Sequence, residues 1–92
     1  MKHNSYFEGN VQSLGFERHG RKQTVGVIQP GEYHFKTGVP ERMTVVCGEL
    51  SARPAGATEF RHYPAGTSFE VAGQSGFDVR ATEPSAYCCE FL

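Results

Sequence analysis

Between positions 32 and 37 polar and apolar side chains alternate: Tyr33, Phe35 and Thr37 fall on one side, Glu32, His34 and Lys36 on the other. A period of two is the signature of a strand buried on one face, which makes Tyr33 and Phe35 the packed set. Other short runs rich in β-branched and aromatic residues are TVGVI (24–28), EYHF (32–35), MTVVC (43–47), TSFEV (67–71), FDVRA (77–81) and AYCCEFL (86–92). No segment of helical length keeps an apolar stripe at i, i+3, i+4 and i+7. Glycine and proline punctuate the chain at intervals of roughly eight to twelve residues. The marks are Gly9, Gly15, Gly20, Pro30 with Gly31, 38–40, Gly48, 54–56, 64–66, Gly73, Gly76 and Pro84. This pattern predicts an all-β sandwich or barrel of short strands.

Size sets the first constraint on that fold. A chain of 92 residues makes one domain and buries only about 60–65% of its unfolded surface, so its core is small and pairing with a second copy would help. Such a core needs its aromatics, and Phe7, Phe16, Phe60, Phe69, Phe77, Phe91 and Tyr87 read first as core residues. Nine Lys and Arg face ten Asp and Glu, scattered without a basic run, which argues against a nucleic-acid or membrane-surface role. No apolar segment suits a signal peptide or a membrane span, so a soluble, cytosolic protein is expected. Cys47, Cys88 and Cys89 are odd in number, and adjacent cysteines close into a disulfide only with strain; reduced thiols packed in strands are expected.

The stretch GEYHFKTGVPERMTVVCGEL (31–50) resembles the first motif of the cupin superfamily, small β-barrels that hold a metal with two His, a Glu and a later His. The frame fits as His34, Phe35, Lys36, four residues, Glu41, six residues and Gly48, with Lys36 at the second His position. PAGTSFEVAG (64–73) echoes the second motif with Phe69 at the third His position. Two ligating side chains are fewer than a protein metal site normally uses, and an ammonium on the ligand face repels a divalent cation. The resemblance therefore implies a single cupin-type jelly-roll barrel over residues 1–92, metal-free and open to a small organic or anionic ligand.

YFEGNVQSLGF (6–16), VGVIQPGEYHF (25–35), PERMTVVCGEL (40–50), YPAGTSFEVAGQSGF (63–77) and EPSAYCCEFL (83–92) together resemble a narrow branch of that superfamily, the small bacterial pyrimidine/purine nucleoside phosphorylases. That resemblance implies a nucleoside and inorganic phosphate as substrates, a free base and ribose 1-phosphate as products, broad base tolerance, no cofactor and a homodimer. Cleaving the bond between base and sugar builds positive charge at C1′ and the ring oxygen, so the protein must place phosphate, grip the ribose and stabilise the leaving base.

Glu41 is the expected catalytic residue: a carboxylate accepts hydrogen bonds from two neighbouring hydroxyls, and its charge favours an oxocarbenium. The alternative is a surface Glu at the turn after Pro40. For phosphate the candidates are Lys36, Arg42 and Arg80 with His34, or a cradle of backbone N–H groups at AGTS (65–68) or GQSG (73–76), in which Thr67 or Ser75 adds a donor. Ser75 with Phe77 matches the family pattern, which ranks the cradle first. The base would stack on Phe69, Tyr33, Phe77 or Tyr87, because apolar stacking tolerates both pyrimidines and purines. His62 is left to the surface. The competing readings are a non-catalytic cupin-like binder of a sugar or nucleotide, and a metal-dependent cupin enzyme drawing on His3, His19, His34 and His62.

Overall fold

A computed structural model describes all 92 residues. The ten strands are β1 (Lys2–Tyr6), β2 (Val11–Arg18), β3 (Arg21–Ile28), β4 (Gly31–Thr37), β5 (Glu41–Cys47), β6 (Glu49–Pro54), β7 (Arg61–Pro64), β8 (Ser68–Val71), β9 (Ser75–Ala81) and β10 (Ser85–Phe91). The one helical piece is a 3-10 turn at Phe7–Gly9. No helix is long and apolar enough to cross a membrane.

The strands form two antiparallel sheets, a six-stranded one in the order β1-β2-β3-β10-β5-β8 and a four-stranded one in the order β4-β9-β6-β7. The all-β class expected from the alternation is the one observed. The single closed barrel is corrected to a sandwich: each sheet keeps two free edges. Two of those edges, β7 and β8, are only four residues long, too short to join the sheets with a continuous hydrogen-bond ladder.

Inner-face side chains meet in one core of 14 buried residues. Val11, Ile28, Met43 and Val45 of the large sheet face Tyr33, Leu50, Ala52, Phe77 and Val79 of the small one. Phe77, only 1% exposed, sits edge-on to both Phe35 and Phe69, with ring centroids 5.4 and 6.0 Å away. Tyr33, Phe35 and Thr37 do turn inward from β4, and His34 and Lys36 outward. Gly26 and Gly48 are among the glycines that leave no room for a side chain. A side chain on Gly26 would enter the Tyr87 ring, which lies flat across β3, and Gly48 turns the chain from β5 to β6 at φ +75° directly over Ser85.

Four strands, β1, β2, β6 and β7, carry none of the runs that the alternation picks out. β1 (KHNSY) is a polar edge strand with almost every residue exposed, and β6 buries only Leu50 and Ala52. β2 contains Gly15 and β9 contains Gly76, so these two glycines lie inside strands and do not punctuate them. Cys47 is exposed, against its expected burial, while Cys89 is buried. The register between β10 and β5 slips between Ala86 and Tyr87, where the partner changes from Cys47 to Val45. The extra residue breaks the alternation past Val45 and turns the end of β5 to solvent.

Candidate functional site

Six strands in one sheet against four in the other leave part of the large sheet's inner face uncovered, and a cavity of about 320 Å³ lies there. Its floor comes from alternate, inward residues of neighbouring strands: Val11 and Ser13 of β2, Thr24 of β3, Glu41 and Met43 of β5, and Tyr87, Cys89 and Phe91 of β10. Phe35 of β4 faces them, and Tyr6 and Phe7 close the side next to the turn.

Glu41 is the first residue of β5 and is 8% exposed, so it is not the surface turn residue of the alternative reading. Register pairs it with Phe91 on one side and Val71 on the other. Burial raises its carboxyl above the ordinary carboxylate range, partly offset by a hydrogen bond from the Cys89 thiol, whose Sγ lies 3.3 Å from Oε1. The Cys89 thiol is itself pushed up by burial and by the adjacent carboxylate. Burial therefore works against the anionic form of both groups at this spot. Tyr87, also held up by burial, keeps its phenol protonated in the same floor. The arrangement offers one buried carboxyl, the hydroxyls of Ser13 and Thr24, and aromatic walls on several sides.

The other expected site residues divide by face. His34 and Lys36 belong to the cavity lining, but alternation turns their side chains to the outer face of β4. They therefore do not share a face with Glu41, as the cupin frame required. There His34 Nδ1 lies 2.9 Å from Asp78 Oδ1, and Arg53 donates to Asp78 Oδ2 at 2.9 and 3.1 Å. These two partners, His34 first, hold the Asp78 carboxyl below its usual range. Tyr33, Phe69 and Phe77 are core residues. The Tyr33 hydroxyl donates to Gln29 O at 2.9 Å, and Phe69 stacks on Tyr63 with centroids 4.4 Å apart. Tyr87 alone of the four expected stacking residues lines the cavity.

The phosphate candidates outside the cavity are engaged elsewhere. Arg42 pairs with Glu70 at 3.2 Å on the outer face. Arg80 lies over the Phe60 ring at 3.9 Å, beside Glu32. Thr67 Oγ1 donates to Pro64 O at 2.6 Å within its turn, and the Ser75 N–H donates to Thr37 Oγ1 at 3.0 Å. No three His, Cys, Asp or Glu side chains converge so as to hold a metal. His62 is exposed and hydrogen bonds to Glu49 at 3.0 Å.

Sequence reasoning missed Tyr6, Phe7, Ser13, Thr24, Met43, Cys89 and Phe91. Part of the signal was available: in AYCCEFL, the alternation that buries Tyr87 also aligns Cys89 and Phe91 with it. For Ser13 and Thr24 there was none, because a small hydroxyl reads the same on either face of a strand.

Comparison with known proteins agrees with this architecture. The family model described as pyrimidine/purine nucleoside phosphorylase matches residues 1–91. A pyrimidine/purine nucleoside phosphorylase of Sorangium cellulosum is 75% identical over 92 residues, covering all of this chain and 99% of that protein. A crystal structure of a Vibrio parahaemolyticus protein of unknown function superposes with a TM-score of 0.96 at 49% identity, covering 99% of this chain and 97% of that one. A cupin domain of an Enterobacter cloacae transcriptional regulator superposes with a TM-score of 0.72 at 16% identity, over 88% and 94% of the two chains; at that identity the match shows only a shared, cupin-like fold. With a family model spanning almost every residue and a relative alike from end to end, the chain belongs to the pyrimidine/purine nucleoside phosphorylase family.

Proposed function

We propose that this chain is a pentosyltransferase that cleaves pyrimidine and purine nucleosides with inorganic phosphate, yielding free base and ribose 1-phosphate. The observation that carries the reading is the cavity of about 320 Å³ with one buried carboxyl, Glu41, among aromatic walls, in a chain of this family. Glu41 binds the ribose hydroxyls through the oxygen that Cys89 leaves free and, once ionised, stabilises the positive charge at C1′. Tyr87 lies against the sugar and base, with Phe35 on the facing wall, its ring supported from behind by the buried Phe77.

Lys36 is the one Lys or Arg in the cavity lining. Flexible enough to reach round the edge of β4, it supplies the charge for phosphate, while His34 stays with Asp78 on the outer face. Ser75 of β9 acts indirectly, through its hydrogen bond to Thr37, next to Lys36 at the end of β4. The reaction as proposed uses phosphate as co-substrate and no metal, since the cupin frame's second and third His positions hold Lys36 and Phe69. The 92 residues work as one cupin-like domain, paired into a homodimer in the cytoplasm.

The test is release of free base from uridine, adenosine and guanosine by purified protein, with and without phosphate and with and without a chelator. Release that requires phosphate and ignores the chelator is expected. Nucleoside binding by folded protein without any release would replace the reading by that of a non-catalytic binder.

A further inference from the structure

The β1–β2 connection is built from a conformation that side chains avoid. Phe7 (φ 52°) and Glu8 (φ 59°) are both left-handed, ahead of Gly9 (φ 87°), and only the glycine adopts that region without a steric cost. Non-glycine residues stay there when their surroundings over-determine them, and such sites cluster at ligand-binding surfaces. This turn is fixed from outside the cavity. The Asn10 N–H and Asn10 Nδ2 both donate to Phe7 O, at 3.1 and 2.9 Å. Gln12 Nε2 donates to Gly9 O at 3.0 Å, while Gln12 Oε1 lies 2.9 Å from the His3 ring.

The product of that geometry is the position of one ring. Phe7 lines the cavity, with its centroid 5.0 Å from Tyr33 and 6.2 Å from Phe35, and lies within 19° of parallel to Phe35. It is nevertheless 42% exposed. A phenylalanine placed only for core packing would bury its ring, as Phe77 does; this one is set by the hydrogen-bonded turn with much of its surface open.

We infer that Phe7 is a base-stacking residue of the site, presented to the cavity by the Asn10- and Gln12-braced left-handed turn. The inference rests on the proposed nucleoside substrate. A π-face is common to every base and stacks on each, so Phe7 recognises pyrimidines and purines alike, while Glu41 takes the sugar further in. Its position on an edge turn lets bases of different width enter without rearranging the two sheets.

The chain contains no tryptophan, so Phe7→Trp provides a single indole at the proposed contact, with Ala57→Trp in the exposed 55–60 loop as control. Uridine and adenosine should quench Phe7→Trp saturably and leave Ala57→Trp unchanged. Phe7→Ala should raise KM for both nucleosides by between about fivefold and a hundredfold, the range that loss of one base–aromatic stack gives, with a smaller change in kcat. If Phe7→Ala does not fold, Asn10→Ala, which loosens the turn from outside, should raise KM with kcat kept within about twofold. An unquenched Phe7→Trp, at nucleoside concentrations that saturate an active wild type, would overturn the inference; so would an unchanged KM in every folded variant. Quenching by nucleosides in a protein that turns none of them over would sink the proposed activity and leave Phe7 as a base-binding residue. No quenching and no turnover would remove both.

Discussion

At the residue scale the proposed chemistry depends on one carboxyl that burial disfavours as an anion. Burial raises the folded pKa of Glu41 above its unfolded value, so the folded chain holds that proton more tightly than the unfolded chain does. The linked stability is fully present below the unfolded pKa and is lost as pH rises through the raised folded pKa. Glu41→Gln cannot ionise, so its Tm should exceed that of the parent at neutral and alkaline pH, and the two should converge in acid. The same variant should lose about a hundredfold to a thousandfold in kcat/KM, the usual effect of removing a group that stabilises transition-state charge.

Cys89 is a positioning residue in this scheme, because its thiol donates to the Glu41 carboxylate and so favours ionisation. Cys89→Ala should move the acid limb of the pH profile of kcat/KM to higher pH, and Cys89→Ser, which restores a donor, should move it back. Equal profiles in all three proteins would show that the contact plays no part. The pair of neighbouring cysteines was legible in the sequence as reduced and packed. Which one faced the site was not, because strand phase was needed to separate the buried Cys89 from the half-buried Cys88.

At the element scale, β5 and β10 build the floor of the site, and their phase decides what reaches it. Glu41, Met43 and Val45 turn inward in step with Tyr87, Cys89 and Phe91, and the slip at Ala86 and Tyr87 ends that agreement. Gly26 is the third participant, since a Cβ there would lie 2.5 Å from the Tyr87 ring. Gly26→Ala should displace the ring into the cavity, reduce kcat/KM, and destabilise the fold by about 1–3 kcal/mol, the usual cost of overpacking. Urea denaturation together with nucleoside turnover checks both effects. Strands β3, β4, β5, β8, β9 and β10 were legible because each alternates between a wet and a dry face. β1 was not, because a polar edge strand draws its order from pairing with β2 and not from burial.

At the scale of the whole molecule, the outer face of the large sheet carries an apolar patch. Leu14, Val25, Val27 and Val46 are all exposed there, with Leu14 opposite Val25 and Val27 opposite Ala86. One end of that face is charged with both signs, Arg42 lying between Glu70 and Glu90. A two-fold pairing of this face would bury the patch and set opposite charges across the rim, which is the basis for expecting a homodimer from so small a core. Val25→Lys with Val27→Lys should give a monomer in light scattering at concentrations where the parent is dimeric. A parent that is monomeric throughout would remove this expectation.

The sequence by itself determined the all-β class, the inward set on β4, the family, and Glu41 as the residue to watch. Those properties reside in alternation and in residue type at fixed spacing, which a linear chain displays. Tertiary structure alone decided that the sheets remain two, that His34 and Lys36 turn away from Glu41, that Tyr33, Phe69 and Phe77 are consumed by the core, and that Phe7 stands open. Each of these depends on which strand lies opposite which and where a register slips. A cavity is the space that neighbouring elements fail to fill, and no single segment of the sequence contains that space.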